Sequence, residues 1–275
     1  MIGQKNLFKE LDEYKTVFPR FVIIAGNKGS GKNLMADYIA RKLIGGEIIV
    51  ASDVKISTLK ELIEASYKLT NQTVYIIPHA DDMSLQAKNS MLKVFEEPSN
   101  KAYWIITLEN IDNTLPTIRS RAIVINMEPY TKKEILDFAS TIIKEDELSW
   151  NIIASVCDTP GEVVNLVNSD IIPFYQYVEL VVDNIAEVSG ANSFKIANKL
   201  ALKKDSEGYD LELFWKTFKS ICMKHINELT SSNDVNKYAK GIIITTKYMS
   251  ELGISGINKQ SLVDAWILDI RKAWM

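Results

Sequence analysis

Apolar residues run in short unbroken blocks through the first half of the chain: FVIIAG (21–26), EIIVAS (47–52), VYIIP (74–78), YWIITLE (103–109) and AIVINM (122–127). A strand with one wet face alternates apolar and polar positions. These blocks do not alternate, so they are predicted to be strands covered on both faces, as in a parallel sheet. Between them the pattern has a helical period. Ala36, Ile39, Ala40 and Leu43 share a stripe in 33–44, which Gly45-Gly46 can end, and Leu59, Leu62, Ile63 and Ser66 share another in 57–69. A third helix is predicted to start on Ser84 as N-cap, to bury Met91, Leu92 and Phe95, and to stop before Pro98. Strands alternating with helices predict a doubly wound α/β domain over 1–128.

Beyond residue 128 the strand blocks stop. Residues 131–144 and 147–168 read as short helices around the turn DTPGE, giving a small helical lid domain over 129–170. The remainder, 171–275, is helical by period. Phe214, Phe218, Ile221, Cys222 and Leu229 line one face there, and Val263, Ile267, Ile270 and Trp274 another. This is expected to be an all-helical C-terminal domain.

Composition narrows the function. With 35 acidic and 32 basic residues, the chain lacks the positive field of a protein that grips nucleic acid unaided, so any such contact is local or shared with partners. Cys157 and Cys222 lie far apart without metal-site spacing and read as core thiols in a reducing compartment. The apolar runs are far shorter than the roughly 20 residues of a membrane span, and the first residues, MIGQKNLFKELDEYK, lack a signal peptide's apolar core. The expectation is a cytoplasmic protein with no membrane contact.

The first strand leads into GNKGSGKN, residues 26–33, which opens the first helix of the alternation. Glycines at 26, 29 and 31 let backbone N–H groups converge on an anion, and Lys32 adds a cation for the β and γ phosphates of a nucleotide. The competing reading is an ordinary glycine-rich βα turn. Position 33 is Asn, where a serine or threonine hydroxyl normally binds magnesium. At the end of the third strand, where a carboxylate pair would hold magnesium and orient water, stand Pro78 and His79. Asp81 and Asp82 follow, but three residues of extended chain span about 10 Å, too far for the same ligand position. His79 as a substitute base would have no ordered magnesium and γ-phosphate to act on. Hydrolysis is therefore expected to be lost, no metal site is expected, and no cofactor is required. ATP or ADP can occupy the loop without catalysis.

Several stretches resemble the clamp-loader AAA+ family of bacterial DNA polymerase III, and within it the delta-prime type. ADDMSLQAKNSMLKVFEEPSN (80–100) is similar to the family's helix ending in LEEP, and LPTIRSRA (115–122) to its LPTIRSRC, with Ala122 in place of Cys. MIGQ and NKQSLVDAWILDIR (258–271) are also similar. The likeness is strong in 80–122 and weak in 171–257. It implies a P-loop AAA+ domain, a helical lid and a C-terminal collar. It also implies that Arg121 is an arginine finger acting in trans on a neighbouring ATPase; the competing reading is that Arg119 and Arg121 are two solvated loop arginines, and Arg119 can instead be a structural ion-pair partner. Implied partners are gamma/tau-like motor subunits, a delta subunit, the sliding clamp and primed DNA.

Family motors carry a basic residue after the PG of the lid, where this chain has Glu162, and many members insert a four-cysteine zinc module where LIGG here runs straight into EIIVAS. No zinc is expected. Thr107 and Asn110 stand where relatives sense γ-phosphate and read by default as core and turn residues. Two alternatives remain: an active AAA+ ATPase of divergent or viral origin, and a P-loop module of other purpose such as a small-molecule kinase, on which LPTIRSR and FEEP have no evident role.

Overall fold

The computed structural model describes residues 3–14, 18–97, 99–143, 147–187, 195–196, 210–228, 232–252 and 257–275. Of the sequence expectations, Met1 and Ile2 of MIGQ, Pro98 and Leu229 lie outside the described residues. The chain forms two units, Met1–Glu134 with Thr159–Gly161, and Ile135–Asp158 with Glu162–Met275.

The first unit holds five strands, β1 (Phe21–Ala25), β2 (Glu47–Val50), β3 (Thr73–Ile77), β4 (Ala102–Leu108) and β5 (Ile123–Asn126), in the order β2-β3-β4-β1-β5 with every pairing parallel. Its helices are α1 (Lys5–Glu13), α2 (Lys32–Tyr38, extended by a π-helical stretch Ile39–Ile44), α3 (Ile56–Ser66), α4 (Leu85–Glu96) and α5 (Pro116–Arg119). The unbroken apolar runs of the inner strands β1, β3 and β4 are explained by two cores, whereas the edge strands β2 and β5, expected to be covered on both faces, are partly exposed because each has only one neighbour in the sheet. Ile23, Tyr75, Ile77, Trp104 and Ile106 pack with Leu59, Met91 and Phe95. Their neighbours Val22, Ile24, Val74, Ile76 and Ile105 pack with Leu7, Leu11, Met35 and Ile39. Because side chains alternate across a strand, a sheet clad on both sides needs apolar residues at every position.

Two local signals act as expected, and a third, at Pro116, was not anticipated. The Ser84 hydroxyl accepts from the Ala87 N–H at 3.2 Å and starts α4. Gly45 and Gly46, at φ 77° and 95°, end the π-helical stretch in conformations a side chain resists. Pro116 opens α5, where its missing N–H costs nothing. Two details differ. On α4 Val94 is buried with Ala87, Met91 and Phe95, while Leu92 is only half-buried. Helix α1 was not anticipated, although Leu7 and Leu11, one turn apart, are both buried.

The second unit is helical throughout its described residues: α6 (Lys132–Ala139, from Ile135), α7 (Glu147–Val156), α8 (Pro160–Asn168, from Glu162), α9 (Ile171–Asn184), α10 (Leu211–Glu228), α11 (Ser232–Glu251) and α12 (Lys259–Trp274). Both predicted faces are buried: Phe214, Phe218, Ile221 and Cys222 on α10, and Val263, Ile267, Ile270 and Trp274 on α12. Trp266 joins them, edge-on to Phe214 and Phe218, with its indole N–H donated to the Thr245 hydroxyl at 3.0 Å. Among the described residues no helix is long and apolar enough to cross a membrane.

Candidate functional site

In a parallel sheet all carboxyl ends of the strands face one edge, so the segments after β1, β3 and β4 are brought together there. The segment after β1 is the glycine loop. Gly26 donates its N–H to the Leu108 carbonyl at 3.2 Å, tying the loop to the end of β4. A side chain at Gly26 would meet Met127 Cβ at 2.7 Å, which explains the first glycine. Gly29 and Gly31 take φ 78° and 88°, left-handed conformations that favour glycine. The Gly26 and Ser30 N–H groups are bonded to the Leu108 and Asn27 carbonyls.

Lys32 is 5% exposed and donates to the loop carbonyls of Gly26 (3.0 Å) and Asn27 (3.2 Å). Its ammonium also lies 3.6 Å from Glu109 Oε1. Burial pulls the Lys32 pKa below its ordinary value, against the opposing pull of Glu109 and Asp81. Asn33 is exposed, and its Oδ1 accepts from the buried Thr107 hydroxyl at 2.7 Å. Thr107 is a core residue whose hydroxyl fills one of the two acceptor sites of the Asn33 side-chain oxygen.

After β3 the chain does not stay extended. Exposed His79 adopts φ 55° and ψ 44°, and Ala80–Asp82 form a 3-10 turn. The chain therefore turns at His79 and does not run on extended to Asp81. Asp81 comes close enough to the loop for its charge to act on Lys32. Its carboxylate is nonetheless committed: it accepts from the backbone N–H of Glu109 (2.5 Å) and Asn110 (3.2 Å) and from Asn113 Nδ2 (3.0 Å). Asn110 caps the same turn, accepting the Asp112 N–H at 2.9 Å.

Two further features were missed in the sequence. Glu109 is the carboxylate nearest the loop lysine, and nothing about a single Glu at a strand end announces it. The TPG turn seats on the loop: Gly161 donates its N–H to the Gly29 carbonyl at 3.0 Å and the Thr159 hydroxyl donates to the Lys28 carbonyl at 3.2 Å. A Cβ on Gly161 would lie 2.5 Å from Gly29 Cα, so only glycine permits this approach.

Arg121 lies just after α5. It donates to the Thr117 carbonyl at 3.0 Å, pairs with Glu96 at 3.6 Å, and keeps a side chain 41% exposed. Arg119 pairs with Asp112 at 3.4 Å, a contact between two exposed side chains. In the second unit Glu162 forms an ion pair with Lys216 and accepts the Asp158 N–H at 2.7 Å. Burial alone would lower the Lys216 pKa, but the carboxylates of Glu162, Glu212 and Asp158 together outweigh it and hold the pKa above its ordinary value. Cys157 and Cys222 are both buried thiols. Among the described residues no group of three or more His, Cys, Asp or Glu could hold a metal ion.

The family model described as "DNA polymerase III, delta subunit" matches residues 46–131, the stretch that carries β2 to β5 and Arg121. The chain is 30% identical over 118 residues to DNA polymerase III subunit delta' of Bacillus subtilis, covering 42% of this chain and 35% of that protein. It is 24% identical over 190 residues to DNA polymerase III subunit gamma of Buchnera aphidicola subsp. Schizaphis graminum, covering 56% and 52%. The matches thus span about half or less of these curated relatives. Among solved structures, a DNA polymerase III gamma subunit-related protein of Thermotoga maritima superimposes with a TM-score of 0.53 at 13% identity, over 97% of this chain and 99% of that one. A variant of RuvB from the same organism gives 0.51 at 17%, over 97% and 87%. At such identities the structures show the fold alone, which is the AAA+ fold with a helical C-terminal part. In sequence, the likeness to DNA polymerase III delta and gamma subunits is carried by the core of the α/β unit, and in fold the likeness extends over nearly the whole length of the chain.

Proposed function

We propose that the protein is a clamp-loader subunit of the delta-prime type in DNA replication, deficient in hydrolysis, that supplies Arg121 to the nucleotide of a neighbouring gamma/tau-like ATPase. With a delta subunit it helps place the sliding clamp on primed DNA, and its C-terminal helices serve in a collar.

The observation that carries this reading is the commitment of the magnesium positions to other partners. Asp81 accepts three N–H groups of the turn 109–113, the Asn33 oxygen already accepts the Thr107 hydroxyl, and Pro78 and His79 offer no carboxylate. Without an anchored divalent ion, in-line phosphoryl transfer loses the charge that stabilises its transition state. Arg121 remains partly exposed, paired to Glu96 by a surface contact of the kind worth only about 0–1 kcal/mol, so the guanidinium can exchange that carboxylate for a phosphate at little cost. ATP or ADP held in the loop without turnover is compatible with this role, and zinc has none in it.

ATPase measurement checks the reading. The isolated chain should show no turnover above background. Mixed with gamma-type and delta subunits, clamp and primed DNA, it should support turnover, and Arg121→Ala should lower that rate by about 10³ or more while leaving co-purification of the subunits intact. Magnesium-dependent turnover by the chain alone, abolished by Lys32→Ala, would establish the active-ATPase alternative instead. Glu109 beside the loop lysine is the feature that favours that alternative.

A further inference from the structure

We infer that Glu109 is an internal ligand of the phosphate loop, a carboxylate that competes with nucleotide phosphate for Lys32 and so sets the loop's affinity for nucleotide. The inference rests on reading residues 26–33 as a phosphate loop and does not depend on Arg121.

An ammonium has three donors. Two of Lys32's go to the carbonyls of Gly26 and Asn27, and its remaining charge partner is Glu109 Oε1 at 3.6 Å. The lysine side chain is 6% exposed, whereas that of Glu109 is 47% exposed. The cation is therefore fixed, and the carboxylate is the member of the pair free to leave. Burial weakens the lysine's hold on its proton, so an anion close by matters more here than at an open surface.

The backbone keeps Glu109 in reach. Its N–H is held by Asp81 at 2.5 Å, and the preceding Leu108 carbonyl receives the Gly26 N–H at 3.2 Å. The end of β4 is thus registered against the first glycine of the loop, and only side-chain rotation can open the pair. Asp81 is held in the turn 109–113 by three N–H groups and acts on Lys32 through its charge, whereas Glu109 is the carboxylate paired with the ammonium. A nucleotide phosphate approaching Lys32 meets a carboxylate of its own sign and must displace it. The loop can therefore keep its fold while binding nucleotide weakly.

The test is calorimetric titration of the full chain with ATP, comparing wild type, Glu109→Gln, Glu109→Ala and Lys32→Ala, with thermal melting of each to show that it is folded. Glu109→Gln and Glu109→Ala should bind ATP at least about fivefold more tightly than wild type, and Lys32→Ala should lose the gain when combined with either. Equal affinity in wild type and both Glu109 variants would overturn the inference while leaving the loop a nucleotide site. Absence of binding in all of them would overturn the inference together with the phosphate-loop reading. Neither result bears on Arg121, which the ATPase mixture tests separately.

Discussion

Asp81 shows how one residue's role is decided by its hydrogen bonds rather than by its type. A carboxylate just after a strand end beside a phosphate loop is where a metal ligand is sought, yet this one accepts three N–H groups from residues 109–113 and serves as the tie of that turn. Asp81→Ala should therefore lower stability by about 1–2 kcal/mol in a denaturant melt, the bonds being charge-assisted but partly exposed, and Asp81→Asn should lose less because one oxygen acceptor remains. A variant as stable as wild type would show that the turn does not need the carboxylate. Glu162 makes the same point in the helical unit, where its charge is matched by Lys216.

At the level of elements, the glycine loop is built from contacts that only a missing side chain allows. The start of α8 approaches Gly29 so closely that a Cβ at Gly161 would overlap backbone, not a side chain that could swing aside. Gly161→Ala gains up to about 1 kcal/mol in helix propensity, less so near a helix start, against the roughly 1–3 kcal/mol of overpacking, so a net loss is expected. The loss should appear as a lower melting temperature and as faster hydrogen exchange at the Gly161 amide, whose bond to the Gly29 carbonyl would be strained. Helix α4 is the opposite case. Its N-cap and apolar stripe are local devices, and it forms where they predict.

For the whole molecule, charge balance sets the expectation for DNA. An excess of 3 acidic residues leaves little counterion release to drive binding. The isolated chain should bind primed DNA, by fluorescence anisotropy at physiological salt, no more tightly than the roughly 10⁻⁴ M end of non-specific affinities, with tight binding appearing only in a complete assembly. Submicromolar binding by the chain alone would contradict this.

The strands, the glycine loop, α4 and the buried faces of α10 and α12 were legible in the sequence because each depends on periodicity or on turn residues close along the chain. Helix α1 was readable in principle from Leu7 and Leu11, but a single pair one turn apart is a weak signal. The pairing of Lys32 with Glu109, the return of Asp81 to the loop, the seat of Gly161 on Gly29 and the partnership of Arg121 with Glu96 belong to tertiary structure alone. Each joins residues far apart in the chain through a geometry set by the parallel sheet and by one left-handed residue at position 79. Local pattern determines which elements form, because backbone preference and burial act over a few residues. Which carboxylate faces which cation depends on where those elements end in space, and that is fixed only once the sheet is ordered.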